Sequence, residues 1–265
     1  LVPRLQQRHP ERPQRLDQAE QVGGVISHAP QPGGVQGWRI GEPRLLLDRL
    51  FLTGDVVLLL PGKPSHAAYD RPMTLSARKD ALRARISAAR ARVTPEQWRS
   101  DNALRTARLL ELADRLPTTT ASVYASRAAE PGTRPLIDEL VARGWAVLMP
   151  KLTPGVAWAR FTGWEFTVPG WGGIPNPMGA TLGPEVLGEA GLIVVPCLAV
   201  GPDGSRLGTG GGWYDRALLH RSPDAPIVAV ARHAEVLEDV AALALPHDIP
   251  VDGYVTERVS VRLPR

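Results

Sequence analysis

Leu192-Ile193-Val194-Val195-Pro196 leads within eight residues into Gly204-Ser205-Arg206-Leu207-Gly208-Thr209-Gly210-Gly211-Gly212-Trp213-Tyr214-Asp215-Arg216. The first segment is an unbroken apolar run, the pattern of a strand buried on both faces of a parallel sheet. The second is a glycine-rich loop that opens a helix predicted over 214–220. Ligands of α/β proteins bind at that place, beyond the carboxyl ends of the strands. Glycines at 208, 210 and 212 remove side chains that would block close approach, and they permit positive φ, so several N–H groups can converge on one anion. The helix start adds partial positive charge. Arg206 can meet a phosphate through two parallel hydrogen bonds. Asp215, in the first turn, can hold Mg2+ beside it. Together these residues compose a nucleotide-phosphate site. The loop lacks the Gly-Lys-Ser/Thr ending of a P-loop, and it lies too late in the chain for a dinucleotide fingerprint.

Strands and helices alternate on both sides of the loop. A helix is predicted from an N-cap at Ser76 to about residue 92, with Leu82, Ile86 and Ala89 at helical spacing. Thr94-Pro95-Glu96 supplies a cap, a proline at the first helical position and an acid in the first turn of a second helix, reaching about 116. A strand at 121–125, a helix at 133–143 and a strand at 146–149 make a β-α-β unit. Residues 156–184 read as a hairpin plus a long loop, and 227–230 and 253–256 as late strands. The expected fold is a single-domain, three-layer α/β/α arrangement with a mostly parallel sheet over 73–265.

Composition narrows the rest. The chain has 265 residues, 43% hydrophobic and 22% charged, which excludes full disorder. It holds no run of about 18 apolar residues, as a membrane-spanning helix needs. Cys197 is the only cysteine, so an internal disulfide and a cysteine-cluster metal site are both excluded. A reducing, cytoplasmic setting is expected, with no membrane partner. The sequence pI is about 9.6, yet the formal net charge is only +4 and the basic excess is spread along the chain. An Arg-rich protein without a nucleic-acid partner is the expectation.

Residues 1–72 differ in texture. Arg, Pro, Gln and Gly dominate 1–43 without sustained periodicity, a composition that cannot offset its chain entropy by burial. The first methionine is Met73. The segment is read as a poorly structured N-terminal extension or a start-site artefact, rather than as a functional domain.

From about Arg78 to Arg258 the chain resembles the 5-formyltetrahydrofolate cyclo-ligase family, also called 5,10-methenyltetrahydrofolate synthetase. The stretch from Val195 through Arg216 looks like the family signature. Lys79-Asp80-Ala81-Leu82-Arg83 resembles a Lys-x-x-x-Arg that touches ATP, and Glu130-Pro131-Gly132-Thr133 a folate-contacting Glu-x-x-Thr. Trp171 with Ile174-Pro175-Asn176-Pro177 is similar to the substrate pocket, and Pro246-His247-Asp248 to the C-terminal end. The resemblance implies an enzyme that uses ATP and Mg2+ on a reduced folate. It implies Arg206 and Asp215 as catalytic groups and Asp215 with Asp248 as metal ligands. Lys79, Arg83 and the loop from Arg206 through Leu207, Gly208, Thr209, Gly210, Gly211, Gly212 and Trp213 to Tyr214 would hold ATP. Glu130, Trp171 and Gly210 to Gly212 would hold the folate.

Other readings stand beside these. Lys79 and Arg83 also fit one solvated helix face, Trp171 also fits loop packing, and Cys197 reads as inert core. A non-catalytic nucleotide- or RNA-binding member of the superfamily would share the fold, but it need not keep both acids. A phospho-sugar or coenzyme-A-type enzyme would share it too.

Overall fold

The computed structural model describes residues 73–264, and the expected extension at 1–72 lies outside the described residues. Helix α1 spans Leu75–Arg90, capped by Thr74, whose hydroxyl accepts the Ala77 amide at 3.2 Å. The cap sits two residues before the expected Ser76. The earlier start brings Leu75 onto the cluster that Leu82 and Ile86 form. Helix α2, Pro95–Ala113, begins as predicted, with Thr94 accepting from Gln97 and proline in the first turn.

Strand β1 (Thr120–Val123) is followed by α3 (Arg134–Ala142) and β2 (Ala146–Pro150). Next come β3 (Trp158–Arg160) and a separate hairpin of β4 (Thr167–Pro169) and β5 (Pro175–Pro177). The long central strand is β6 (Ala190–Pro196). A two-stranded ribbon, β7 (Ala199–Val200) with β8 (Arg206–Leu207), leads to α4 (Trp213–Ala217). Strands β9 (Ile227–Val230), β10 (Gly253–Val255) and β11 (Ser260–Arg262) complete the chain.

Seven strands pair in the order β11-β10-β9-β6-β1-β2-β3. The inner pairings are parallel, while β2 with β3 and β10 with β11 are antiparallel. Period-2 alternation along β6 divides its side chains between two cores. Leu192 and Val194 join the α2 and α3 residues Leu109, Leu136 and Leu140 on one face. Ile193 and Val195 join Leu187, Ala217 and Leu218 on the other. These are the three expected layers. No helix of the described residues is long and apolar enough to cross a membrane.

A third cluster sets α1 against the ribbon, through Leu82, Ile86, Leu198, Ala199 and Leu207. This contact brings the cationic face of α1 to the glycine-rich loop. Ile86 is 4% exposed. Ile86→Ala is therefore expected to destabilise the fold by about 2–5 kcal/mol through lost burial and a residual cavity. Urea denaturation measures it, and a loss under about 0.5 kcal/mol would mean that α1 docks by other means.

Candidate active site

The strand ends at β1, β2 and β6 open onto a cavity of about 510 Å3. Lys79 and Arg83 on α1, Glu130, Trp171, the loop from Arg206 to Asp215 and Asp248 all line it. Thr133 of the Glu-x-x-Thr is instead buried and donates to the Tyr124 carbonyl at 2.6 Å, and Pro175, Asn176 and Pro177 are not part of the lining.

The loop's shape follows from its glycines and turns. Asp203 accepts the Ser205 amide at 3.0 Å and hydroxyl at 2.6 Å, closing the β7–β8 ribbon. Gly204 has φ +89°, and a Cβ there would meet the Val251 carbonyl oxygen at 2.5 Å. Gly210 has φ +104° and lies against the Arg83 guanidinium. Arg83 Nε donates to the Gly208 carbonyl at 3.0 Å, across 125 residues of chain. The solvated-face reading of Lys79 and Arg83 thus gives way to a pocket-facing one.

Two ion pairs line the cavity. Arg206 Nη2 meets Asp215 Oδ1 at 2.7 Å, and Lys79 Nζ meets Asp248 Oδ2 at 3.1 Å. Asp215 Oδ1 also faces the Ile249 amide at 3.4 Å, next in the chain to Asp248. Two acids 33 positions apart in sequence so share one end of the pocket. Arg206 Nε and Tyr214 Oη are buried without a protein partner. Burial pushes the Tyr214 phenol far up, so it stays protonated and able to donate.

Helix α4 is shorter than the predicted 214–220, since the chain tightens into a 3₁₀ turn at Leu218–His220. Its N-cap, Gly212, is left-handed and offers no side-chain cap. Five residues make a weak dipole, so cationic side chains and loop amides supply most of the positive field. Trp213 packs edge-on against Trp158 and Tyr214, with centroids at 5.1 and 4.9 Å.

On the opposite wall, Glu130 accepts from Arg127 twice, from Nε at 2.9 Å and from the amide at 3.2 Å. The Arg127 guanidinium also lies 5.9 Å from the Trp171 ring centroid. Trp171 is 77% exposed, on a turn where Gly172 and Gly173 have positive φ. Loop packing therefore does not explain it. Arg127 was not singled out from the sequence, although its position three residues before Glu130 was the available signal. Lys151 donates to the Gly179 carbonyl. Cys197 is buried, and burial pushes its thiol up to about 12, as inert core requires.

The sequence model of the 5-formyltetrahydrofolate cyclo-ligase family matches residues 75–257. This chain belongs to that family. A 5-formyltetrahydrofolate cyclo-ligase of Mycolicibacterium smegmatis is 34% identical over 146 residues, covering 52% of this chain and 74% of the relative. The solved 5,10-methenyltetrahydrofolate synthetase of Aquifex aeolicus superposes with a TM-score of 0.58 at 28% identity, covering 71% of this chain and 93% of that one. A synthetase of the same kind from Mycoplasma pneumoniae gives 0.55 at 18% identity, over 68% and 98%, and shares the fold.

In this cyclo-ligase family member, the fit to a nucleotide and a divalent ion can be tested on the cavity itself. No group of three or more His, Cys, Asp or Glu among the described residues forms a metal cage. A Mg2+ site of one or two carboxylates completed by phosphate oxygens needs no cage, and Asp215 and Asp248 meet that requirement. The unpartnered Arg206 Nε and Tyr214 Oη are donors that an anion would satisfy. The residues present fit both groups.

Proposed function

We propose that this protein converts 5-formyltetrahydrofolate to 5,10-methenyltetrahydrofolate, with ATP consumed and ADP and phosphate released. The observation that carries the reading is the convergence of Lys79, Arg83, Arg206, Asp215, Asp248 and Glu130 on one cavity at the strand ends. Bound ATP supplies a phosphoryl group to the formyl oxygen; the neighbouring folate nitrogen then attacks the formyl carbon, and phosphate leaves as the ring closes.

What the chain must do is hold and neutralise. Arg206, kept in place by Asp215, supplies positive charge to the phosphoryl group, while Lys79, Arg83 and the amides of 207–214 bind the remaining phosphate oxygens. Asp215 and Asp248 hold Mg2+. Glu130, oriented by Arg127, accepts from the folate, and Trp171 covers its flat rings. No protein nucleophile is required.

The test is the growth of methenyltetrahydrofolate absorbance on mixing protein, 5-formyltetrahydrofolate and Mg-ATP. Turnover is expected. ATP binding without product would make the chain a nucleotide-binding module instead. Asp215→Asn is expected to abolish turnover in a folded protein, and full retained activity would remove its metal role.

The Lys79–Asp248 pair adds a pH dependence. Burial raises the Asp248 carboxyl, but the Leu245 amide and the Lys79 ammonium outweigh it and hold the group below the usual range. A carboxylate with a depressed folded pKa stabilises the fold above its unfolded value of about 3.9, and that stabilisation fades as the pH falls through the folded value. The stability gap between wild type and Asp248→Asn should thus be full at neutral pH and close in acid. A gap unchanged across that range would show that the pair contributes nothing.

A further inference from the structure

Arg90 is the last residue of α1, with its side chain 3% exposed and all three guanidinium nitrogens engaged. Nε and Nη2 pair with the two oxygens of Glu235 at 2.7 and 2.8 Å. Nη2 also donates to the Cys197 carbonyl at 2.8 Å, and Nη1 to the Ala129 carbonyl at 3.3 Å. Glu235 is itself fixed, because its Oε2 accepts the Arg232 amide at 2.9 Å. One planar cation therefore joins the end of α1, the segment after β6, the turn after β9 and the loop before Glu130.

The Ala129 contact is the informative one. Among the described residues Ala129 alone has positive φ without being glycine, at +61°. A residue with a Cβ keeps that conformation only where its surroundings hold it. Arg90 is a hold of this kind, and the residue after Ala129 is Glu130, whose carboxylate faces the cavity. Cys197 and Leu198 wall the same cavity, and Lys79 and Arg83 enter it from the helix that Arg90 ends.

We propose that Arg90 is a positioning residue that registers the phosphate-side helix α1 against the folate-side loop carrying Glu130. This rests on the reaction proposed above. Neutralising Glu235 alone would be a different role, since a buried ion pair can be replaced by apolar residues of similar volume with little harm to stability. Such a replacement would still leave the Ala129 and Cys197 carbonyls without their donor.

The test uses the double variant Arg90→Met/Glu235→Leu and the single variant Arg90→Lys. Thermal melting and circular dichroism report folding, ATP binding is titrated calorimetrically, and steady-state kinetics give KM and kcat for 5-formyltetrahydrofolate. The expected result for the double variant is a folded protein with ATP affinity within about threefold of wild type and a folate KM raised at least about tenfold. Arg90→Lys, which keeps a donor but not the planar fork, should fall between the two. A folded double variant with wild-type folate KM would overturn the inference, as would an equal loss of both affinities alongside a lowered melting temperature. Should the double variant fail to fold, Arg90→Lys decides: an unchanged folate KM overturns the inference, and a raised one with ATP affinity retained supports it. A wild type without turnover removes the proposed reaction and this inference with it, whereas an unchanged KM in an active background removes only the inference.

Discussion

Arg206→Met should lower kcat by about 10²–10³-fold while the protein stays folded, the scale seen when one preorganised donor to a developing charge is removed. The side chain is 5% exposed and Nη2 is held by Asp215 at 2.7 Å, so the guanidinium cannot swing away from the cavity. Its Nε is buried without a protein partner. A cation fixed on one edge and unsatisfied on the other is poised for an incoming anion, and methionine fills similar space without charge. Arg206→Lys is expected to recover only part of the rate, because a point charge cannot reproduce both the Asp215 contact and the second donor. Steady-state kinetics with circular dichroism decide the matter. A kcat within threefold of wild type for Arg206→Met would remove Arg206 from the chemistry.

The largest stability effect is expected at Arg105, which does not line the cavity. Its side chain is fully buried on α2 and meets Asp101 at 3.5 Å and Glu257 at 3.3 Å. Nη1 donates to Asn102 Oδ1 at 2.7 Å, and that same oxygen accepts the Gly132 amide at 2.9 Å. Nε donates to the Ala231 carbonyl at 3.1 Å, just beyond β9. Arg105→Ala leaves two carboxylates close together and poorly hydrated, and breaking a buried pair in this way costs about 3–5 kcal/mol. For a domain of this size that lowers Tm by roughly 10 °C. Calorimetry on the two proteins checks it. A Tm shift below about 2 °C would mean that water reaches the two acids and replaces the guanidinium.

Much of this architecture could be read from local pattern. The run at 192–195 is buried throughout, 227–230 is a strand to the residue, and Thr94-Pro95 starts α2 as its chemistry dictates. The glycine-rich loop was legible because close approach and positive φ demand glycine at fixed places. The ribbon of β7 and β8 was not, since two-residue strands show no alternation. Nor were β3 and β11, which at three residues each are also too short to show a period of two. The site followed the same rule. The candidate residues could be named one by one, but Lys79 with Asp248, or Arg206 with Asp215, became pairs only when the fold closed separations of 169 and 9 residues. The buried pairs of Arg90 with Glu235 and of Arg105 with Glu257 carry no local signature, because a charged residue reads as solvated until tertiary packing covers it.

The antiparallel strands at the two ends of the sheet have a consequence for the behaviour of the protein at high concentration. A parallel sheet left open would offer long, flat rows of free amides and carbonyls on which a second molecule could grow. Here the terminal strands are three residues each and end in Arg160 and Arg262. Beyond β3, Trp158 and Leu182 exchange backbone hydrogen bonds at 3.0 and 2.8 Å, which closes off part of that edge as well. Brevity, charge and a covering bridge are the means by which sheets resist joining edge to edge. The fold thus protects itself against aggregation at the margins farthest from its central strand.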